Sequence, residues 1–247
     1  MLLKEIVDFL GQKAPAATAE EWDNPGLLVE SGEKTVTAAV VALDATPAAI
    51  EFAVKNGANL LVTHHPVIFG GLTRLTPDHP AVLAMRAGVS VYSAHTNLDK
   101  APGGVNDTLA ALCGLRDVTV AADSMSRIGT LPAPLTAEAF AAQVARVLQA
   151  PVAFTAGKTV SRVAVCGGAA GEGVFTLAGM ADAFVTGEMK HHEFLAAKAA
   201  NLTAIAAGHY ATEVPVIRTL TAWLQSAFPE LRVCPFADTA PYTVLKV

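Results

Sequence analysis

Three segments of this chain carry imidazoles and carboxylates at the ends of apolar runs. His64 and His65 stand side by side after the run 58–63. The run 89–93 leads into Ala94-His95-Thr96-Asn97-Leu98-Asp99, and the run 202–207 into Gly208-His209-Tyr210-Ala211-Thr212-Glu213. If the runs are strands, each segment places its polar residues at a strand's carboxyl end, where open α/β sheets build their sites. Imidazole and carboxylate without cysteine is the donor chemistry of a divalent metal centre. Zinc, manganese, iron, cobalt and nickel all accept such a set.

Each piece has two readings. Neighbouring residues on a strand point to opposite faces, but at the strand's end both His64 and His65 can swing toward one site. Such a pair is more easily shared between two metals than clamped on one; alternatively, the two rings only hydrogen-bond locally in a turn before Pro66. In His209-x-x-x-Glu213, a helix beginning near Ala211 would put both side chains on one side, about one turn apart. Glu213 has two oxygens with which to bridge two ions, or else it only favours a helix N-terminus. Asp99 offers an anionic oxygen, or a turn residue. His95 suits a supporting or acid/base role better than ligation, because His64, His65, Asp99, His209 and Glu213 already form a workable five-ligand set. His191 and His192, beside Lys190, either face a substrate as further acid/base candidates or lie on a solvated face. Gly103-Gly104 offers backbone N–H groups to an anion or makes a tight turn, and His79 before Pro80 reads as a helix cap.

The elements that must position these residues alternate along the chain. Leu3, Ile6, Val7 and Leu10 fall at helical spacing. A strand is expected over 35–43, then a helix with Thr46 as N-cap and Pro47 as its first residue, ending near Asn56-Gly57. Strand 58–63, a helix from Pro80 to Gly88 and strand 89–94 follow. The segment 114–134, with Pro132 and Pro134, is less regular. Thr136 opens a helix through Phe140, Val144, Val147 and Leu148. A second alternating block has strand 162–166, Gly167-Gly168, an apolar helix, strand 183–186, helix 188–200 and strand 203–207. Helix 214–227 and a strand over 242–247 end the chain. The pattern predicts an α/β protein of two lobes with mostly parallel or mixed sheets flanked by helices. The expected division is a metal-site lobe of 1–120 plus 205–247, the C-terminal segment returning to the first lobe, and a second lobe of 121–204.

Composition narrows the class. The chain has 247 residues, enough for a substantial core, and is 52% hydrophobic and 16% charged. Its longest apolar stretches fall short of the ~18 residues a membrane helix requires, and Glu5 and Asp8 interrupt any signal-peptide core. The net charge of −5, without a lysine or arginine cluster, gives no footprint for nucleic acid. Cys113, Cys166 and Cys234 are isolated and odd in number, which suits buried thiols in a reducing compartment.

Five motifs occur in the order seen in one family: Glu21-Trp22-Asp23-Asn24-Pro25-Gly26-Leu27, Thr63-His64-His65-Pro66, His95-Thr96-Asn97-Leu98-Asp99, Thr186-Gly187-Glu188 and Gly208-His209-Tyr210-Ala211-Thr212-Glu213. The chain resembles, over essentially its whole length, the GTP cyclohydrolase 1 type 2 homologues, also called interacting-factor-three-like dinuclear metal-centre hexameric proteins. It looks like their short form, with no extra domain in the middle. Pro25 and Glu30 depart from the first motif without touching the ligand residues. The resemblance implies two divalent metals per subunit held by His64, His65, Asp99, His209 and a bridging Glu213, in a cytoplasmic homohexamer.

The activity so implied is metal-dependent hydrolysis of a purine nucleotide such as GTP, by attack on the carbon between the two imidazole-ring nitrogens and ring opening. His95, His191 or His192 would carry protons. The alternatives are phosphoester hydrolysis of a nucleotide at the same centre, or a metal-stabilised scaffold, metallochaperone or regulatory partner without turnover.

Overall fold

The computed structural model describes residues 1–236 and 238–245. Among these, no helix is long and apolar enough to cross a membrane. The chain divides into two compact units, Met1–Pro102 with Val216–Thr239, and Gly103–Pro215 with Ala240–Val247.

The first unit opens with α1 (Leu3–Lys13), which buries Leu3, Ile6 and Leu10 along one stripe. Strand β1 (Gly26–Val29) begins at the end of the first sequence motif, where no strand was expected. Strand β2 (Ala38–Ala42) leads to α2 (Pro47–Lys55), whose Thr46 hydroxyl accepts the Ala49 N–H at 3.1 Å, the cap foreseen from sequence. Strand β3 (Leu60–Thr63), α3 (Pro80–Arg86) with His79 Nδ1 as its cap, β4 (Ser90–Ser93) and the short α4 (Thr96–Lys100) follow. Strands β2, β3 and β4 are parallel neighbours, and β1 runs antiparallel on β4. Val40, Leu61 and Val91 face Ala49, Ile50, Ala53 and Ala84 of α2 and α3. Ala39, Val41, Leu60 and Val62 alternate with them and are equally buried, so both faces are covered. Burying each leucine fully contributes about 1.5–3 kcal/mol.

The second unit runs through α5 (Val105–Leu112), β5 (Arg116–Val120), β6 (Arg127–Leu135), α6 (Ala137–Leu148), β7 (Ala153–Phe154), β8 (Val160–Cys166), α7 (Val174–Leu177), β9 (Ala183–Thr186), α8 (His191–Ala199), β10 (Thr203–Ala206) and α9 (His209–Glu213). Its sheet has the order β5-β6-β8-β9-β10-β7, with β8, β9 and β10 parallel and the other pairs antiparallel. Val163, Val165, Val185 and Ile205 pack with α5 and α6 on one face. Ala164, Cys166, Phe184 and Ala204 pack with Val174, Leu177 and Ala197 on the other. Burial pushes the Cys113 thiol up to about 12, and Cys113, Cys166 and Cys234 are not joined in disulfides.

The chain then returns to the first unit with α10 (Val216–Ala227) and β11 (Arg232–Pro235), which adds a parallel strand beside β2. The two α/β units and mixed sheets match the expected class. The division falls at Pro102/Gly103, Pro215/Val216 and Thr239/Ala240, where the sequence suggested 120/121 and 204/205. Helix α5 is the reason, since Leu109 and Ala110 bury against Val163 and Val165 of β8.

Several elements differ from expectation. The irregular segment 114–134 forms most of a hairpin, and β6 tolerates Pro132 and Pro134 because its pairing with β8 slips between Thr130 and Leu135. Helix α8 begins at His191 rather than 188, because the Glu193 carboxylate accepts the Lys190 N–H at 2.6 Å and so marks the helix start there. The helix expected over 214–227 begins at Val216, after Pro215, which cannot donate a backbone hydrogen bond. Of the strand expected over 242–247, residues 242–245 are not in a strand. Lys246 and Val247 lie outside the described residues.

Candidate metal centre

In the first unit, backbone bonds run on past β3. His64 N donates to Ala42 O at 3.3 Å and His65 N to Leu43 O at 2.9 Å, while the Thr63 hydroxyl donates to His65 O at 2.8 Å. Both histidines are therefore held at the carboxyl end of a parallel sheet. The third ring belongs to His95, which follows β4 and whose backbone N–H donates to Asn97 Oδ1 at 2.8 Å. Ring centroids lie 4.9 Å apart for His64 and His65, 5.3 Å for His64 and His95, and 5.7 Å for His65 and His95. One ring nitrogen from each of the three falls within 4.8 Å of the others, close enough to hold a metal ion. Asp99, on α4, places Oδ1 3.7 Å from His64 Nε2.

The rings are anchored on their other nitrogens. His64 Nδ1 lies 2.9 Å from Ala94 O, His65 Nδ1 2.7 Å from Asp44 Oδ1, and His95 Nδ1 2.7 Å from Asp23 Oδ1. A carbonyl or carboxylate oxygen only accepts, so Nδ1 carries the proton and Nε2 the lone pair. Fixing the tautomer from behind is what ligating histidines require. Asp23 also accepts the N–H of Thr96 at 2.9 Å and the Thr96 hydroxyl. Burial alone would raise its carboxyl, but the bonds from Thr96 and His95 hold it below the usual aspartate value. Burial pushes the His95 imidazole down, reinforced by His64 and opposed by Asp23.

In the second unit, three glycines follow three parallel strands: Gly168 after β8, Gly187 after β9 and Gly208 after β10. Gly208, at φ +90°, precedes α9, which starts at His209, two residues earlier than the Ala211 start expected. Its N–H donates to Gly187 O at 2.8 Å, and Glu188 N donates to Gly168 O at 2.9 Å. A Cβ on Gly168 would collide with the Glu213 carboxylate and lie 3.4 Å from His209 Nε2; one on Gly187 would lie 2.8 Å from His209 Cα. The glycines thus let the backbone close around His209 and the buried Glu213. His209 Nε2 is 3.0 Å from Glu213 Oε2, and its Nδ1 is 3.1 Å from Glu188 Oε1. One imidazole between two carboxylates suits a cation lying between Nε2 and Oε2.

The first unit therefore groups His64, His65, His95 and Asp99, and the second pairs His209 with Glu213. His191 and His192 are exposed at the start of α8. Among the described residues, His192 stacks on Phe175 at 6.3 Å between centroids, and neither histidine is paired with His209 or Glu213. Gly103 N donates to Asp107 Oδ2 at 2.6 Å, so that glycine turn is closed from within. Sequence reasoning passed over Asp44, Asp23 and Glu188 as anchors. The available signal was a carboxylate just past a strand or inside a recognised motif.

The family model described as Duf34/NIF3 (NGG1p interacting factor 3) matches residues 1–241. The chain is 30% identical over 234 residues to the GTP cyclohydrolase 1 type 2 homolog of Clostridium perfringens, covering 88% of each. It is 33% identical over 248 residues to NGG1-interacting factor 3 of Saccharomyces cerevisiae, covering 86% of this chain and 85% of that one. Among solved structures, the Staphylococcus aureus hypothetical protein SA1388 superposes with a TM-score of 0.89 at 26% identity, covering 99% of both chains. On the match over residues 1–241 and on these relatives, the chain belongs to the Duf34/NIF3 family.

Proposed function

We propose that this protein is a divalent-metal-dependent hydrolase acting on a purine nucleotide such as GTP. In this reading His64, His65, Asp99, His209 and Glu213 hold two ions, drawn from zinc, manganese, iron, cobalt or nickel, with Glu213 bridging. The observation that carries it is the anchoring of His64 and His65 through Nδ1, which points each Nε2 lone pair away from its support. The names of the relatives supply the substrate class. A bound pair of such ions lowers the pKa of water and polarises the bond under attack.

The chain's own groups supply the rest. Asp23 holds the His95 ring by Nδ1, so His95 Nε2 is the atom that accepts a proton from the attacking water and returns it to the leaving nitrogen. Asn97 fixes the His95 backbone and is itself tied to Ala14 O at 2.7 Å, which keeps that ring in place. His191 and His192 are proposed as secondary proton carriers. The assembly proposed is a cytoplasmic homohexamer.

Elemental analysis of the purified protein, then turnover across GTP and a phosphoester panel with each metal, tests this reading alongside Glu213→Ala. Two bound ions per chain and GTP ring opening are expected, with both lost in the variant. Wild type that is metal-free and cannot be reloaded would overturn the metal centre. If no substrate turns over with any of these metals while Glu213→Ala loses its assembly, the protein is a scaffold. Light scattering on the purified protein tests the hexamer.

A further inference from the structure

Two large aromatic side chains of the first unit stand out in water beside His95. Trp22 is 59% exposed and Phe69 58% exposed. Neither belongs to the core, yet their rings meet at 5.8 Å between centroids and 75° between planes. Each also lies edge-on to His95, Trp22 at 5.9 Å and 70°, Phe69 at 6.0 Å and 83°. Three rings therefore meet as the walls of a corner. Near-perpendicular packing leaves ring faces uncovered, and those faces are the surfaces that attract a further flat ring.

The corner is built rather than incidental. Asn24 Nδ2 donates to Ile68 O at 2.8 Å, tying the turn that carries Trp22 to the loop that carries Phe69. Asp23, between Trp22 and Asn24, holds His95 and Thr96. Exposed apolar side chains held together in one place, rather than scattered singly, are the kind of surface that binding sites present.

We propose that Trp22 and Phe69, closed at the back by His95, form a stacking seat for a planar heteroaromatic ring such as a nucleobase. This rests on the nucleotide reading above and deepens it by naming the residues that grip the base. Stacking is tolerant of ring identity, so the seat selects flat heteroaromatics as a class and leaves choice among bases to hydrogen bonds elsewhere.

Equilibrium dialysis of the full-length protein with guanosine, and separately with inorganic triphosphate, tests it, with wild type, Trp22→Ala and Phe69→Ala run both metal-loaded and after chelation. Guanosine should bind wild type in both states, and each substitution should weaken it about tenfold or more. Triphosphate binding should be unchanged by either substitution. A second readout is Trp22 emission in a Trp223→Phe background, which guanosine should quench and triphosphate should not. If guanosine binds all three proteins equally, or none of them, the seat is refuted. Loss of assembly in the variants with no guanosine binding by wild type would make this corner a contact between copies and refutes it too. Turnover of GTP with guanosine binding indifferent to Trp22 and Phe69 would sink the seat alone. Guanosine binding through these rings without turnover would sink the hydrolase alone.

Discussion

His65 Nδ1 and Asp44 Oδ1 lie 2.7 Å apart, a histidine after β3 held by an aspartate just past β2. The carboxylate fixes the ring's tautomer and orientation. Asp44→Ala should weaken metal affinity by about 10–100-fold. The fold should survive, because the Asp44 side chain is nearly half exposed. Competition against a chelator of known affinity, with a melting curve of the chelated protein, separates the two effects. Unchanged affinity would remove His65 from the ligand set.

Gly168 combines φ +65° with contact against the Glu213 carboxylate, whereas Gly32, at φ +93°, has open space where a Cβ would go. Alanine at either position should lose about 1–3 kcal/mol to backbone strain, read by urea unfolding. Only Gly168→Ala should also displace Glu213 and cost metal binding. Equal metal affinity in the two variants would show that the close approach at Gly168 has no bearing on the centre.

His95 can be separated from the ligands by what its removal leaves behind. His95→Ala should lower kcat by about 10²–10⁴-fold while bound metal stays at the wild-type level. Metal lost in proportion to activity would instead place His95 among the ligands, as its proximity to His64 and His65 allows.

Asp182, just before β9, gives a pH-dependent term of its own. Burial raises its carboxyl, but the N–H groups of Arg162 and Ser161 and the Lys158 ammonium outweigh this and hold it below the usual value. A depressed folded-state value means the contribution is complete above the unfolded value of about 3.9 and fades as pH falls through the folded one. Asp182→Ala should therefore cost about 1–3 kcal/mol at pH 7. The gap to wild type should narrow below about pH 4. A gap that widens in acid would contradict the assignment.

Periodicity reached the parts of the fold that are locally determined. Thr46-Pro47 and His79-Pro80 each marked a helix start, and β3 and β9 appeared as apolar runs because both of their faces are buried. Strands β1, β7 and β11 escaped the sequence reading; each is set by pairing with a strand distant in sequence, β1 with β4, β7 with β10 and β11 with β2. The ligand candidates were legible as residue types at strand ends. Their supports were not, because His65 and Asp44 are 21 positions apart and His95 and Asp23 are 72 apart. A lone aspartate at such a place reads as a turn residue until the tertiary contact exists.

The Nδ1 anchors of His64, His65 and His95 also bear on how fast ions come and go. Each ring already holds its proton on the side away from the centre and its plane against a fixed oxygen. An arriving cation meets imidazoles that need neither turn over nor exchange tautomers, and a departing one leaves their pose unchanged. Exchange should then be limited by stripping water from the ion, so uptake rates should rank the metals by how readily each sheds its hydration shell.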